Sequence, residues 1–185
     1  MPGFYTRKGD EGYTDLFGGR AAKYAPRPEA IGTLDEASAQ IGFARAVAGQ
    51  ERTRLILIEV QRDLYLLMAE LAFTPELEQQ RYHITAEQVE RVERETDALS
   101  DETPLPPQFI LPGDTLSGAA LDVARTVARR AERRVVKLAH DGDFDNPQAL
   151  AYLNRLSSLL FILARYEDLQ AGVTPLRAKK PNDRI

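Results

Sequence analysis

Apolar side chains recur with a helical period through most of this chain, and that recurrence limits the folds it can adopt. Glycine, proline or short polar runs interrupt the period between successive segments, and no stretch has a convincing strand pattern. Five segments are long enough to be helices. They cover about residues 29–48, 52–73, 85–99, 115 or 117 to 140, and 147–170. The sequence therefore predicts an all-α protein built as a five-helix antiparallel bundle.

Two of the predicted helices begin with recognisable caps. Thr85 and Gln88 have the spacing of a capping box, with Ile84 and Val89 placed as its hydrophobic staple. Asn146 precedes a proline and is an N-cap for the fifth helix. The second helix is apolar on more than one side, so we expect it to lie centrally or at an interface.

Composition excludes several classes of function. The 185 residues carry a net charge of −4, which favours neither a nucleic acid nor an anionic membrane as partner. The absence of cysteine excludes disulfides and thiolate metal sites. Neither His83 nor His140 follows a glutamate at the spacing of a ferritin-like di-metal bundle. Because there is no signal-peptide pattern and no long apolar run, we expect a cytoplasmic protein.

The chain length fits a single domain over residues 1–185. Within it we expect a glycine-rich N-terminal loop over residues 1–27, a helical bundle over 28–170 and a mobile C-terminal tail over 171–185.

The fourth helix carries charged residues beside its apolar face. Arg125, Arg129 and Glu132 are spaced i, i+4, i+7 and form one column that borders the stripe of apolar side chains. Asp35 on the first helix borders a similar stripe, and Asn154 falls within the stripe of the fifth. Partly buried polar groups need partners, so Asp35 is expected to pair with an arginine of this column and Asn154 to point at the same place. A salt-bridged, solvated helix surface is the alternative.

The stretch "YTRKGDEGYTDLFGG" near the N-terminus has no helical period and contains four glycines. Glycine lets backbone N–H groups approach an anion, and Thr6, Thr14 and Lys23 add hydroxyls and a positive charge. The Walker A spacing is absent. The alternatives are an anion-binding loop and a terminal arm that merely packs.

Several motifs together resemble a known family. "YTRKGDEGYTDL", "GGRAAK", "EAIGTLDEASAQIGFARA", "FILPGD", "ARTVARRAERRVV" and "YLNRLSSLLFILARYED" occur in the order found in the ATP:cob(I)alamin adenosyltransferases of the propanediol-utilisation type. This resemblance implies a five-helix bundle that forms a homotrimer with active sites between subunits. It also implies transfer of the 5′-deoxyadenosyl group of ATP to the cobalt of cob(I)alamin, with release of triphosphate.

The resemblance also implies roles for individual residues. The catalytic residues would be Arg125, Arg129, Asp35 and Glu132, with Asp35 and Arg129 paired across the subunit interface. Phe109 would lie under the corrin ring and help to displace its lower axial base. The ATP site would comprise Thr6, Arg7, Lys8, Gly9, Thr14, Asp15, Lys23, Arg125, Arg129, Arg130, Glu132, Arg133 and Asn154. Mg²⁺ is expected on the ATP phosphates.

The expected partners are ATP, cob(I)alamin or cob(II)alamin, a cobalamin reductase and a B12-dependent mutase or dehydratase. A non-catalytic carrier of nucleotide or corrinoid is the alternative function, and ordinary packing after a proline turn is the alternative role for Phe109. The chain departs from the family pattern at Asp114, an added carboxylate beside the corrin segment or a cap, and at Ala25 and Pro26 before the first helix.

Overall fold

Five helices make up most of the computed structural model, which describes residues 5, 7–73 and 82–179. The helices are α1 (Pro26–Val47), α2 (Glu51–Ala72), α3 (Ala86–Glu102), α4 (Leu116–His140) and α5 (Pro147–Gln170). The predicted five-helix fold is confirmed, and every predicted helix end lies within three residues of the observed one. α1 begins at Pro26, ahead of the boundary expected at residue 28.

Contacts between side chains show that neighbouring helices run antiparallel. Between α1 and α4, Glu29 contacts Arg134 at 3.3 Å, and Glu36 contacts Arg130. The second pair lies later in α1 but earlier in α4, so the two helices run in opposite directions. Between α4 and α5, Glu132 contacts Asn154 whereas the earlier Asp122 contacts the later Arg165. α4 therefore runs antiparallel to both α1 and α5, as predicted.

The core lies where the apolar faces of the helices meet. α4 packs on both α1 and α5, α1 also packs on α2, and α5 also packs on α3. α2 packs mainly on α1 and leaves Leu55 and Tyr65 more than half exposed. The predicted central position of α2 is therefore wrong within one chain. The alternative prediction, that α2 lies at an interface, stays a prediction. The α4 stripe is buried as expected: Ala124, Val127, Ala128, Ala131, Val135 and Leu138.

Side chains cap the N-terminal ends of four helices. The capping box of Thr85 and Gln88 is present, and Asn146 accepts hydrogen bonds from the first backbone N–H groups of α5. Thr115 caps α4 by accepting from the Gly118 backbone N–H at 2.9 Å. The Glu167 carboxylate accepts from two backbone N–H groups at the start of α2, at 2.8 and 3.1 Å, and thereby joins α2 to α5.

The N-terminal loop contains a short hairpin that the sequence analysis missed. Strands β1 (Tyr13–Leu16) and β2 (Gly19–Ala22) pair antiparallel around a two-residue turn, in which Gly18 has φ 107°. Phe17 at the turn stacks on Phe73 at the end of α2, with ring centroids 4.5 Å apart. The expectation of no strand was therefore wrong. Strands of four residues are too short to show an alternating pattern in the sequence, which is why they were missed.

The described part of the C-terminal segment is held against the segment that precedes α4. The Ala178 backbone N–H donates to the Phe109 carbonyl and the Leu111 N–H donates to the Leu176 carbonyl, both at 2.8 Å. Asp114 accepts from the Leu176 N–H at 3.2 Å, so this departure from the family pattern orders the same contact. The sequence predicted a mobile tail from residue 171, but Leu176 and Ala178 are hydrogen-bonded to the segment before α4.

None of the helices in the described parts of the chain is both long and apolar enough to cross a membrane.

Replacing Gly118 with alanine tests the tight approach of α4 to α5. An added Cβ would lie 2.9 Å from Thr115 Oγ1 and closer still to the Asp168 carboxylate, so the hydrogen bond between those two side chains must shift. We expect Gly118→Ala to lower the free energy of unfolding by about 1–3 kcal/mol, measured by urea denaturation.

Gly32→Ala is the matched control, because nothing lies within 4 Å of the Cβ it would add to α1. This change should raise stability by about 0.5–1 kcal/mol through helix propensity. Equal effects of the two substitutions would contradict the tight packing at Gly118.

Candidate functional site

The charged column of α4 faces a cavity between α3, α4 and α5. Arg125 and Arg129 line this cavity, which has a volume of about 310 Å³. Its other walls are mixed polar and apolar side chains: Thr96, Ser100, Leu105, Ser157, Ser158, Phe161 and Ile162. The column therefore borders the core and opens on a concave surface, as the spacing predicted.

A buried carboxylate orients Arg125. Asp122, one turn earlier in α4, accepts from Arg125 Nε at 3.0 Å through its Oδ1 atom. The second oxygen of Asp122 accepts from Nη2 of Arg165, which is almost fully buried, at 2.7 Å. Arg125 is about one-quarter exposed, and its terminal nitrogens make no hydrogen bond to any described residue.

Arg129 has a weaker attachment than Arg125. Its nearest polar contact among the described residues is Ser157 Oγ on α5, at 3.5 Å. Within those residues it forms no ion pair with a carboxylate. A guanidinium that borders a cavity without a carboxylate partner is placed to bind an anion.

Glu132 and Asn154 meet across the groove between α4 and α5. Asn154 Nδ2 donates to Glu132 Oε1 at 3.1 Å, and Arg155 Nη1 donates to Asn154 Oδ1 at 2.9 Å. Asn154 is exposed, so its predicted place within the apolar stripe of α5 is wrong. The prediction that it points toward the column is confirmed by its bond to Glu132.

Two other arginines of α4, Arg130 and Arg134, form ion pairs with α1. Arg130 pairs with Glu36, which the sequence analysis did not single out, and Arg133 is exposed without an ion pair among the described residues. Asp35 is exposed and forms no ion pair with Arg125 or Arg129 in this chain. Pairing of Asp35 with the column inside one bundle is therefore wrong. Pairing of Asp35 with Arg129 across a subunit interface stays a prediction.

The N-terminal loop forms a second concave surface that is rich in charge. A cavity of about 490 Å³ is lined by Arg7, Lys8, Asp10, Glu11, Asp15 and Arg20. Arg20 donates to the Lys8 carbonyl at 2.8 Å and contacts Glu11 at 3.8 Å. Arg20 belongs to the motif GGRAAK and was not predicted as a site residue, but its position opposite Asp15 in the hairpin places it in this cavity.

The other loop residues predicted to bind ATP adjoin this hairpin. Thr14 lies in β1 opposite Ala21. The Lys23 ammonium group lies over Gly9, where an added Cβ would be 3.0 Å from Nζ, so this lysine packs closely on the loop backbone. The Lys23 backbone N–H donates to the Gly12 carbonyl at 2.9 Å. Thr6 lies outside the described residues.

Phe109 is displayed to solvent rather than packed. Its side chain is 89% exposed, while its carbonyl oxygen is bonded to the C-terminal segment. Among the large hydrophobic side chains of the described residues it is the most exposed, ahead of Tyr24 at 87%. Ordinary packing after a proline turn, the alternative for this residue, is contradicted by its exposure.

The loop and Phe109 lie toward opposite ends of α4. Arg27, just after the hairpin, donates to the Asp143 carbonyl that follows the C-terminal end of α4. Phe109 precedes the N-terminal end of the same helix. A helix of 25 residues is about 37 Å long, so one chain does not bring its loop and its Phe109 together.

Two buried polar residues of α5 were missed by the sequence analysis. Arg165 and Asp168 are fully or almost fully buried, and Asp168 accepts from Thr115 Oγ1 at 2.6 Å. Burial raises the pKa of the Asp168 carboxyl, and the hydrogen bond from Thr115 and the charge of Arg165 oppose that rise. The available signal was the spacing of Arg165 and Asp168 by three residues at the end of a strongly apolar run.

No group of three or more histidine, aspartate or glutamate side chains that could hold a metal occurs within residues 5, 7–73 and 82–179. Mg²⁺ bound with a nucleotide needs only one or two carboxylates besides the phosphates. Glu132 beside the arginines, or Asp15 in the loop cavity, suffices for that requirement.

Comparison with known proteins identifies the family. A family model for cobalamin adenosyltransferase matches residues 4–167. The corrinoid adenosyltransferase PduO of Salmonella typhimurium is 43% identical over 171 residues, which cover 90% of this chain and 50% of that protein. The corrinoid adenosyltransferase of Bacillus subtilis is 39% identical over 173 residues, covering 91% of this chain and 88% of that protein. The chain thus spans about half the length of the PduO relatives and most of the Bacillus protein.

Solved structures agree with the sequence relatives. A variant PduO-type adenosyltransferase from Lactobacillus reuteri complexed with cobalamin and ATP has a TM-score of 0.87 and 30% identity, covering 96% of this chain and 100% of that one. Another variant complexed with ATP has a TM-score of 0.84 and 29% identity, covering 95% and 100%. The family model covers most of the chain and both sequence relatives exceed 30% identity, so this chain belongs to the cobalamin adenosyltransferase family.

Proposed function

We propose that this protein transfers the 5′-deoxyadenosyl group of ATP to the cobalt of cob(I)alamin. In this reaction the cobalt–carbon bond forms as the bond between C5′ and its phosphate oxygen breaks, and triphosphate leaves with the electron pair. The observation that carries the proposal is the arginine column of α4, which opens on a cavity and includes one arginine without a carboxylate partner among the described residues. Family membership and the ATP and cobalamin complexes of related structures support it.

Cob(I)alamin is itself the nucleophile, so the protein need not supply one. Its tasks are to position the two substrates, to neutralise the leaving triphosphate and to exclude water. Arg125 and Arg129 serve the second task, because positive charge fixed at the leaving group stabilises the charge that develops as the bond breaks. Arg130 and Arg133 add to this field from the adjoining face, and Glu132 holds Asn154 beside it.

The N-terminal loop supplies the other part of the ATP site. Arg7, Lys8 and Lys23 bring positive charge to a segment whose glycines permit close approach of the backbone, and Thr6 and Thr14 add hydroxyls. Asp15 lies in the same cavity. Glu132 or Asp15 would provide the protein carboxylate for an Mg²⁺ ion bound with ATP, and that ion would neutralise part of the phosphate charge.

Phe109 is assigned to the corrin. An aromatic ring that is 89% exposed provides an apolar surface for a flat, largely apolar macrocycle. Contact on the lower face of the corrin displaces the axial base, and four-coordinate cob(II)alamin is easier to reduce to the nucleophile.

A homotrimer with its sites between subunits completes this proposal. The loop and Phe109 of one chain lie toward opposite ends of α4, so a site that uses both draws them from different copies. Asp35, exposed and unpaired with the column in its own chain, then pairs with Arg129 of a neighbour. A cobalamin reductase, a downstream mutase or dehydratase and a cytoplasmic location stay predictions.

A non-catalytic carrier of nucleotide or corrinoid is the remaining alternative. The α4 column favours catalysis, because a carrier has no leaving triphosphate to neutralise. Anaerobic incubation with ATP and chemically reduced cobalamin separates the two functions. We expect loss of the cob(I)alamin absorbance with release of one triphosphate per adenosylcobalamin; persistence of cob(I)alamin would favour the carrier.

Arg129→Ala should lower the rate of adenosyl transfer at least about 100-fold, because it removes a cation from the leaving group. Helical content, measured by circular dichroism, should not change, since Arg129 is exposed and weakly bonded. Arg134→Ala is the matched control on the same helix, since Arg134 pairs with Glu29 on the outer face. Similar rates for the two variants would sink the assignment of Arg129.

Phe109→Ala should leave the melting temperature unchanged, because the ring is almost fully exposed. The variant should still bind ATP but transfer poorly when cob(II)alamin and a reductant are supplied. Electron paramagnetic resonance reports four-coordinate cob(II)alamin, and we expect its signal to be lost. Tyr65→Ala, which removes another exposed aromatic ring, should retain that signal. A normal four-coordinate signal in Phe109→Ala contradicts the corrin contact.

A further inference from the structure

We propose that Asp122 is a positioning residue that fixes the Arg125 guanidinium toward the cavity, acting from a buried ionic cluster of Asp122, Arg125, Arg165 and Asp168. The inference rests on the proposed role of Arg125 in binding the ATP phosphates. It concerns residues outside the site predicted from the sequence, apart from Arg125 itself.

The cluster is continuous from the core to the cavity. Asp168 accepts from Thr115 Oγ1 at 2.6 Å and contacts Arg165 Nη2 at 3.1 Å. The same nitrogen donates to Asp122 Oδ2 at 2.7 Å, and Asp122 Oδ1 accepts from Arg125 Nε at 3.0 Å. Each link is within the range of an ion pair or a hydrogen bond.

Burial decreases from one end of the cluster to the other. The side chains of Asp168 and Arg165 are 0% and 1% exposed, Asp122 is 8% exposed and Arg125 is 27% exposed. Three members are therefore held by the surrounding protein, and only the fourth reaches the cavity. A side chain whose anchor is buried and bonded on both sides has little freedom to turn away.

The charges of the cluster balance only when Arg125 is included. Two carboxylates face Arg165, so one negative charge would be left over without a second cation. Arg125 supplies that cation, and the remaining negative charge draws its guanidinium to Asp122. Because Asp122 binds Nε, the two terminal nitrogens of Arg125 are left toward the cavity.

This geometry assigns different tasks to the two arginines that line the cavity. Arg125 is fixed before a ligand arrives, whereas Arg129 has only the 3.5 Å contact with Ser157. A preorganised cation binds the phosphates without losing side-chain freedom at that step. Removal of the Asp122 charge should therefore weaken ATP binding through Arg125 alone.

A double-mutant cycle tests the inference by equilibrium dialysis of radiolabelled ATP with Mg²⁺, a measurement that needs no turnover. Asp122→Asn should raise the Kd for ATP about tenfold in the wild-type background. In an Arg125→Ala background, the same change should raise it by less than about twofold, because the group that Asp122 positions is gone.

Asp63→Asn is the matched control. Asp63 is a buried carboxylate that contacts Arg91 and accepts from Tyr152 at 2.9 Å, but it does not line the cavity. We expect this variant to melt earlier than the wild type and to bind ATP within about twofold of it. A tenfold loss of ATP binding in Asp63→Asn would overturn the specificity claimed for Asp122.

Equal fold-changes for Asp122→Asn in both backgrounds, or no change in the wild-type background, would overturn the proposal. If Asp122→Asn does not fold, Asp122→Glu enters the same cycle, because it keeps the charge beside Arg165 and displaces the contact with Arg125. If neither folds while Asp63→Asn does, Asp122 has a structural role only. Adenosyl transfer by the wild type is measured separately, so loss of the positioning role is distinguishable from loss of the proposed function.

Discussion

The buried Arg165 is the interaction on which the relation between α4 and α5 depends. A fully buried guanidinium is tolerated only when carboxylates surround it, and here α4 supplies Asp122 and α5 supplies Asp168. Thr115, which caps α4, also donates to Asp168, so the start of α4 is fixed by the same cluster. The segment that carries Phe109 leads directly into this cap. One buried ion cluster thus joins the beginning of α4 to Arg125, the first arginine of the column.

That arrangement separates the chemistry of one chain into two regions. Phe109 precedes the N-terminal end of α4 and the arginine column lies about midway along that helix, whereas the hairpin is held by Phe17 and the following Arg27 at the opposite end of the bundle. The proposed reaction needs an ATP clamp, a cation for the leaving triphosphate and a surface for the corrin close together. In the proposed homotrimer the loop of one copy meets the column of another, which would bring these parts together.

The helices and the α4 column were predictable because a period of 3.6 residues places side chains on defined faces, and Arg125 and Arg129 lie where that period puts them. Partners across helices were not predictable in the same way. The sequence gives no register between α1 and α4, so Arg130 meets Glu36 where Asp35 was expected to meet the column. The pairing of Asp122 with Arg165 was missed for the same reason, since it joins two helices whose register the sequence does not show. The four-residue strands were missed because they are too short to show a pattern.

Co-assembly of two impaired variants tests most directly whether one site is built from two copies. Differently tagged Lys23→Ala and Phe109→Ala chains are co-expressed, and mixed oligomers are isolated through both tags. Their rate of adenosyl transfer, with cob(II)alamin and a reductant supplied, is then compared with that of each variant alone. In a cyclic trimer one site of each mixed assembly has an intact loop and an intact Phe109, so the account predicts about one-third of the wild-type rate. A rate no higher than the mean of the two parent variants would contradict it, because loop and Phe109 would then act within the same chain.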